Sequence, residues 1–572
     1  MKFNGLRASA LALATVLLSV GGAHAQGLAG PYLAATQADL RNDYDTASDF
    51  YAQLLLRDPG NGVLLQSALV SNVASGRFDA SRALAKQLLG VESENQIGAL
   101  VELAEAMRAE DYDRANEILA NEDYRLNPLF SGLMLGWAAV GRGDYEAATV
   151  AFDALNQNET LEAYGQLHKA LALALAGDFT TAADILTGDE NGPLHLDRMA
   201  VLAHITSLSQ AEKNDEAVAV VDALLGDGFS DTQLSTMRDQ LADNQTLPFV
   251  VVKDAGDGAA MVYQIIANAL TRDDSDRYGL VYARLATMIS PEFDEASILT
   301  ADILDAQEQH EQAIEVLTGI STDSNWYISA EVGRAEALEA AGKVEQAGEV
   351  LSKLAREKPD NLSIMTALGD VLRRDEDYAP AADAYTKALG LIADENASHW
   401  VLYYSRGIVL ERLGRWEASE ADFRHALKLQ PDQPHVLNYL GYSMVELSQN
   451  LEEAQSMIEK AVAARPQDGY ITDSLGWVLY RVGKFSEAVP YMERAVELVP
   501  VDPIINDHLG DVLWKVGRRL EAQFQWRRAL SFDPEEKDAD RIRRKLEVGL
   551  DKVLEDEVVT KKAETDTAQD DG

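Results

Sequence analysis

Leu475 and Leu479 lie four residues apart, and Leu509 and Leu513 repeat the pair 34 residues later. Apolar residues at that spacing share one face of a helix, so both pairs predict helices that pack on a core by one side. Smaller positions recur with the same period: a glycine, a second glycine seven residues on, an alanine, a large residue, another alanine and a proline. Gly407 leads to Gly414, Phe423, Ala426 and Pro431; Gly476 leads to Gly483, Ala488, Met492, Ala495 and Pro500. Gly510 leads to Gly517, Ala522, Trp526, Ala529 and Pro534, and the unit at Gly441 follows with one extra residue through Ala454, Ala461 and Pro466. A fixed period of this length marks stacked supersecondary units.

Each position has a physical reason. Gly476 and Ala488 are small where two antiparallel helices approach closely. Gly483 sits in the short connection, where left-handed backbone is needed. Pro500 stops the second helix because it lacks an N–H. The unit is a helical hairpin that must stack on its neighbours to bury its apolar faces. Upstream, the small anchor recurs at Gly369, Ala335, Ala301 and Ala267, each 34 apart. Ala35 leads to Ala47 and Tyr51, Gly136 to Gly143, Ala148 and Phe152, and Ala170 to Gly177 and Ala182, with weaker units around Leu69, Leu103 and Ile205. This pattern resembles the tetratricopeptide-repeat (TPR) family from about residue 31 to 534. The resemblance implies an all-α, right-handed superhelical solenoid of stacked antiparallel helical hairpins.

Breaks in the rhythm set the expected organisation. Degenerate repeats occupy 26–244. An irregular connection or hinge spans 245–262, where Leu247-Pro248-Phe249 precedes a flexible Gly256-Asp257-Gly258, and the regular solenoid follows over 263–534. Residues 393–398 predict a longer loop. Ile542, Leu546, Leu550 and Leu554 form one apolar stripe on a capping helix over 535–556, and the polar 557–572 predicts a disordered acidic tail.

At the N-terminus, Lys2 and Arg7 precede an uncharged run from Ala8 to Val20 and then Ala23-His24-Ala25. Basic, apolar and small residues in that order predict a cleavable secretory signal over 1–25, and the run is well short of the roughly 20 residues that span a bilayer. The expected destination is the periplasm. With no cysteine in the chain, a lipid anchor, disulfides and thiolate metal sites are not expected.

The formal net charge is -44, which disfavours nucleic acid, whose phosphates need Lys and Arg. Residues 26–400 hold 25 basic and 62 acidic residues, against 20 and 23 over 401–545. Catalytic signatures are missing: there is no zinc-binding His-Glu-x-x-His and no Gly-x-Ser-x-Gly elbow. Asp273-Asp274-Ser275-Asp276 lacks calcium-loop spacing. His399, His425, His435 and His508 fall at unrelated repeat positions and read as surface or packing residues. No catalytic residue, metal or cofactor is expected, and the chain reads as a binder and not an enzyme.

The candidate site lies on the first helices of the four C-terminal units. Residues at i, i+4, i+7 and i+8 share a face, which gives Tyr404 and Arg412, Asn438 and Tyr442, Asp473, Trp477, Tyr480 and Arg481, then Asp507, Asp511, Trp514 and Lys515. The TPR resemblance implies that this face lines a concave groove. Aromatic rings beside amides and charges suit peptide capture. The stretches Ile471–Tyr480 and Ile505–Trp514 look like the C-terminal repeats of large Gram-negative envelope TPR proteins. That resemblance implies an envelope protein or peptide as partner, and in some members a processing protease or its substrate. The adaptors of that group are lipoproteins, unlike this cysteine-free chain. The alternative reading is a glycan-binding module for cell-wall or exopolysaccharide assembly, with the same rings stacking on sugars.

Overall fold

The computed structural model describes residues 28–188, 192–226, 232–271, 276–392 and 395–559. The expected signal at 1–25, most of the Asp273–Asp276 cluster, residues 393 and 394 of the expected loop, and the tail from 560 lie outside the described residues. The chain is all-α, and it divides into two compact units, Met1–Leu354 and Ala355–Gly572.

In the first unit, antiparallel hairpins follow the sequence period. The first helices Gly62–Ala74, Gln96–Arg108, Pro128–Gly141 and Arg198–Gln210 are each followed by a return helix, of 14, 8, 9 and 13 residues. The weak anchors Leu69, Leu103 and Ile205 are fully buried at their centres. The strong anchor Gly136 shows why the position is small: a Cβ there would meet the Phe152 ring at 2.1 Å. Asn and Asp side chains cap many of the helices; Asn61 Oδ1 accepts from Leu64 N–H at 3.2 Å, and Asn127 Oδ1 from Leu129 N–H at 2.8 Å. Each such cap is worth about 1 kcal/mol.

The stretch expected as an irregular connection or hinge is irregular over 245–254, but it is packed in place. Leu247, Val251 and Val252 are buried, Leu247 N–H donates to Ser209 Oγ at 2.9 Å, and Gln210 donates to the Leu247 carbonyl at 2.6 Å. Gly256-Asp257-Gly258 is not a flexible linker but part of the first turn of the helix Ala255–Thr271. The compact units divide near residue 354 and not at 245–262.

Ala255–Thr271 and Asp276–Ile289 form a hairpin that leaves the stacking order and packs across the first helices Gly62–Ala74, Gln96–Arg108 and Pro128–Gly141. Gly258 lies on Trp137 so closely that a Cβ would stand 2.2 Å from the indole. Tyr263 Oη donates to the Leu100 carbonyl at 2.7 Å, and Arg284 Nε to the Ala74 carbonyl at 3.0 Å. Phe130 meets Tyr263 edge-on at 4.9 Å. Long-range burial of this kind depends on total apolar surface, which no local spacing reveals. Over these three helices the first-helix face is thus filled by the chain itself.

The second unit holds regular hairpins. Trp400–Arg412 pairs with Trp416–Leu429, Pro434–Glu446 with Leu451–Ala464, Gly469–Arg481 with Phe485–Leu498, and Pro503–Lys515 with Arg519–Leu530. Gly407 faces Phe423, Gly441 faces Ile458, Gly476 faces Met492 and Gly510 faces Trp526, each too close to admit a Cβ without displacement. Gly414, Gly483 and Gly517 have φ of +70°, +82° and +82°, the left-handed backbone expected of the connections. Where the sequence predicts one capping helix, Gly549 at φ +84° divides it into Glu536–Val548 and a further helical stretch at 550–559. Ile542 and Leu550 are fully buried, while Leu546 and Leu554 are only half-buried.

Candidate functional site

Of the twelve predicted groove residues, Asp473, Trp477, Tyr480, Asp507 and Asp511 are buried. Tyr404, Asn438, Tyr442, Arg481, Trp514 and Lys515 are half-buried, and Arg412 is exposed. The expectation that the tryptophans stand open in a groove is corrected. Trp477 is stacked with Tyr480 at 4.8 Å and with His508 at 3.9 Å, and its Nε1 donates to Glu446 Oε1 at 2.7 Å. Each first helix presents its rings to the next repeat, so the stack itself buries them. Trp514 donates to Asp551 at 2.9 Å, and Arg519 lies 4.9 Å over its ring. Gly549 approaches the same indole from the terminal segment.

The acidic positions are neutralised internally. His508, one of the packing histidines, contacts Asp473 through Nδ1 at 2.9 Å. Burial opposes its charge, but the Asp473, Asp507 and Asp511 carboxylates outweigh that and hold the imidazole above its ordinary value. Lys545, on the terminal helix, is fully buried, with Nζ 2.7 Å from an Asp507 oxygen and 2.7 Å from an Asp511 oxygen. Trp526 Nε1 adds a bond to Asp511 at 3.0 Å, and the Arg541 guanidinium lies within 3.7 Å of both carboxylates. Burial and the like charge of Asp511 push Asp507 up despite Lys545. Arg481 bridges to Glu446 at 3.2 Å and Lys515 to Asp551 at 2.6 Å. Lys545 and Arg541 were missed by sequence reasoning, although they stand 34 residues after Asp511 and Asp507, on the repeat period itself.

What remains available is a track of hydroxyls. Tyr385, Tyr403 and Tyr439 donate to Asp370, Glu395 and Glu411 at 2.6, 2.7 and 3.3 Å. Tyr404, Tyr442 and Tyr480 make no such bond to any described residue, and their oxygens are not among the buried unpaired atoms. Their rings are embedded and their tips reach solvent. Burial pushes all three phenols up, with Glu446 and Asp473 adding to the rise at Tyr442 and Asp511 at Tyr480, so each remains an O–H donor. They occupy the i, i+4 and i+7 face positions of three successive first helices and so step diagonally across the unit. Asn438 Oδ1, at the neighbouring face position, is buried with no partner. A depression of about 420 Å³ bounded by Leu427, Leu437, Met457 and Lys460 contains none of the twelve residues. No cluster of metal-ligand type is present among the described residues, and no described helix is long and apolar enough to cross a membrane.

The family profile described as tetratricopeptide repeat matches residues 332–398, 404–469 and 448–503. A TPR repeat-containing protein of Pseudomonas aeruginosa is 28% identical over 165 residues, which is 29% of this chain and 27% of that protein, so the match spans about a quarter of the relative's length. Among solved structures, the APC/C hetero-tetramer Cut9-Hcn1 aligns over 91% of this chain and 95% of that one, at 13% identity and a TM-score of 0.39. A tetratricopeptide repeat protein from Parabacteroides merdae aligns over 45% of this chain and 98% of that one, at 15% identity and a TM-score of 0.37. The 34-residue period, the profile matches and the stacked hairpins agree that residues 332–398 and 404–503 of this chain are built of tetratricopeptide repeats.

Proposed function

We propose that the chain is a non-enzymatic, periplasmic scaffold that captures an envelope protein on the first-helix face of its second unit. The observation that carries this reading is the contrast among the tyrosines. Three hydroxyls are satisfied by carboxylates, whereas those of Tyr404, Tyr442 and Tyr480 lie in a diagonal row, open and unpaired. Rigid rings with free O–H tips suit the carbonyls of an extended segment, because little side-chain entropy is lost on binding. In the first unit the hairpin of Ala255–Thr271 and Asp276–Ile289 already covers the equivalent face of Gly62–Ala74, Gln96–Arg108 and Pro128–Gly141, which supports the second unit as the binding element. The basic, apolar and small order at the N-terminus supports the periplasmic destination. Stacking of the Trp477 ring on Tyr480 and His508 favours protein over sugar, since a sugar needs a free aromatic face.

The test removes only the three oxygens. Tyr404→Phe, Tyr442→Phe and Tyr480→Phe combined should keep the helical content and lower recovery of an envelope protein from native extract. Three hydrogen bonds at about 0.5–1.5 kcal/mol each give a loss of roughly tenfold or more. Unchanged recovery would place the binding surface elsewhere.

A further inference from the structure

The outward face of the last hairpin departs from its predecessors. Two exposed positions four residues apart carry Glu417 and Ala421, Glu452 and Ser456, then Ser486 and Pro490 in three successive second helices. In Arg519–Leu530 they carry Leu520 and Phe524, which are 83% and 62% exposed. Covering each such side chain is worth about 1.5–3 kcal/mol, so an uncovered pair on a single turn is an unused docking element. Beside the pair stand Glu521, held by Arg518 at 2.5 Å, and Arg527, which is exposed and joins no carboxylate among the described residues.

We infer that this face docks a second copy of the chain, with two Arg519–Leu530 helices crossing antiparallel about Phe524. The order of residues is self-complementary. Glu521 lies three residues before Phe524 and Arg527 three after it. A two-fold axis at Phe524 therefore sets each Glu521 against the partner's Arg527, and it packs Leu520 beside the central rings. An isologous contact needs this property, because one patch must serve both sides. The helix carries Arg519, Arg527 and Arg528 against Glu521 alone, so the exchange of Glu521 for Arg527 across the axis is what offsets the like charge of two copies. An anionic bilayer would face the repulsion of the remaining chain.

Sedimentation or light scattering of the full chain tests this. Wild type should form a concentration-dependent dimer, and Leu520→Glu with Phe524→Glu should be monomeric with an unchanged circular dichroism spectrum. Arg527→Glu should weaken the dimer by about tenfold or more, and Glu521→Arg added to it should restore association. A wild type that stays monomeric at every soluble concentration would overturn the inference, as would a dimer that survives Leu520→Glu with Phe524→Glu. Capture of the monomer on phosphatidylglycerol vesicles through Leu520 and Phe524 would overturn it in favour of a membrane.

Discussion

The Nζ of Lys545 lies 2.7 Å from an Asp511 oxygen, and neither side chain reaches solvent. The pair ties the terminal helix to the last repeat inside the protein, where a charge without its partner is costly. Lys545→Met should therefore destabilise the end of the second unit by about 3–5 kcal/mol, because it leaves Asp507 and Asp511 buried together without their lysine. Hydrogen exchange over Pro503–Lys515 would measure this as lost protection. Adding Asp507→Asn and Asp511→Asn should recover most of it.

The contact between His508 and Asp473 predicts a pH dependence. The folded value of His508 is raised, so the folded state binds the proton more tightly than the unfolded chain. Its contribution is fully present below the ordinary histidine value of about 6.5 and is lost as pH rises through the folded value. Melting temperatures from about pH 5 to 9 should show this decline in wild type, and His508→Asn should flatten it.

Glu295 gives the opposite kind of case. Burial pushes its carboxyl up to about 7, although Trp326 Nε1 donates to it at 2.7 Å. An acid whose folded value is raised loses stability as pH climbs from its unfolded value to its folded one, and the cost persists above it. Glu295→Gln keeps an acceptor for Trp326 and removes the ionisation. The variant should melt higher than wild type above about pH 7 and close to it near pH 4. A wild type that melts higher at alkaline pH would show that Glu295 is stabilised as the anion.

Gly258 and Trp137 meet where the hairpin packs on Pro128–Gly141, and a Cβ at Gly258 would stand 2.2 Å from the indole. Gly258→Leu should cost about 1–3 kcal/mol as overpacking. Near-ultraviolet circular dichroism would report it as a change in the Trp137 environment, with exchange rising in Ala255–Thr271. An unaltered spectrum would mean the hairpin is packed elsewhere.

The hairpins were legible because both members of each close contact sit at fixed spacing. Gly476 with Met492 and Gly510 with Trp526 are local pairs, and steric exclusion ties glycine to the large residue. The turn glycines were legible for the same reason. The coverage of Trp137 by Gly258 was not, since it joins residues more than a hundred apart and leaves no periodic trace. At the candidate site, helical spacing placed the twelve residues on one face, but spacing alone does not say whether a ring points to solvent or into the next repeat. His508 decides this for Trp477, and Lys545 does so for Asp507 and Asp511. Gly549, read as part of a continuous helix, breaks it because its apolar neighbours also fit a four-residue stripe.

The most direct measurement of the central claim is photo-cross-linking in the intact cell with a benzophenone amino acid placed at Tyr442, and at Glu452 on the outward face as a control. Capture on the first-helix face predicts a discrete adduct with an envelope protein from position 442 and none from 452. An adduct from 452 with none from 442 would contradict it.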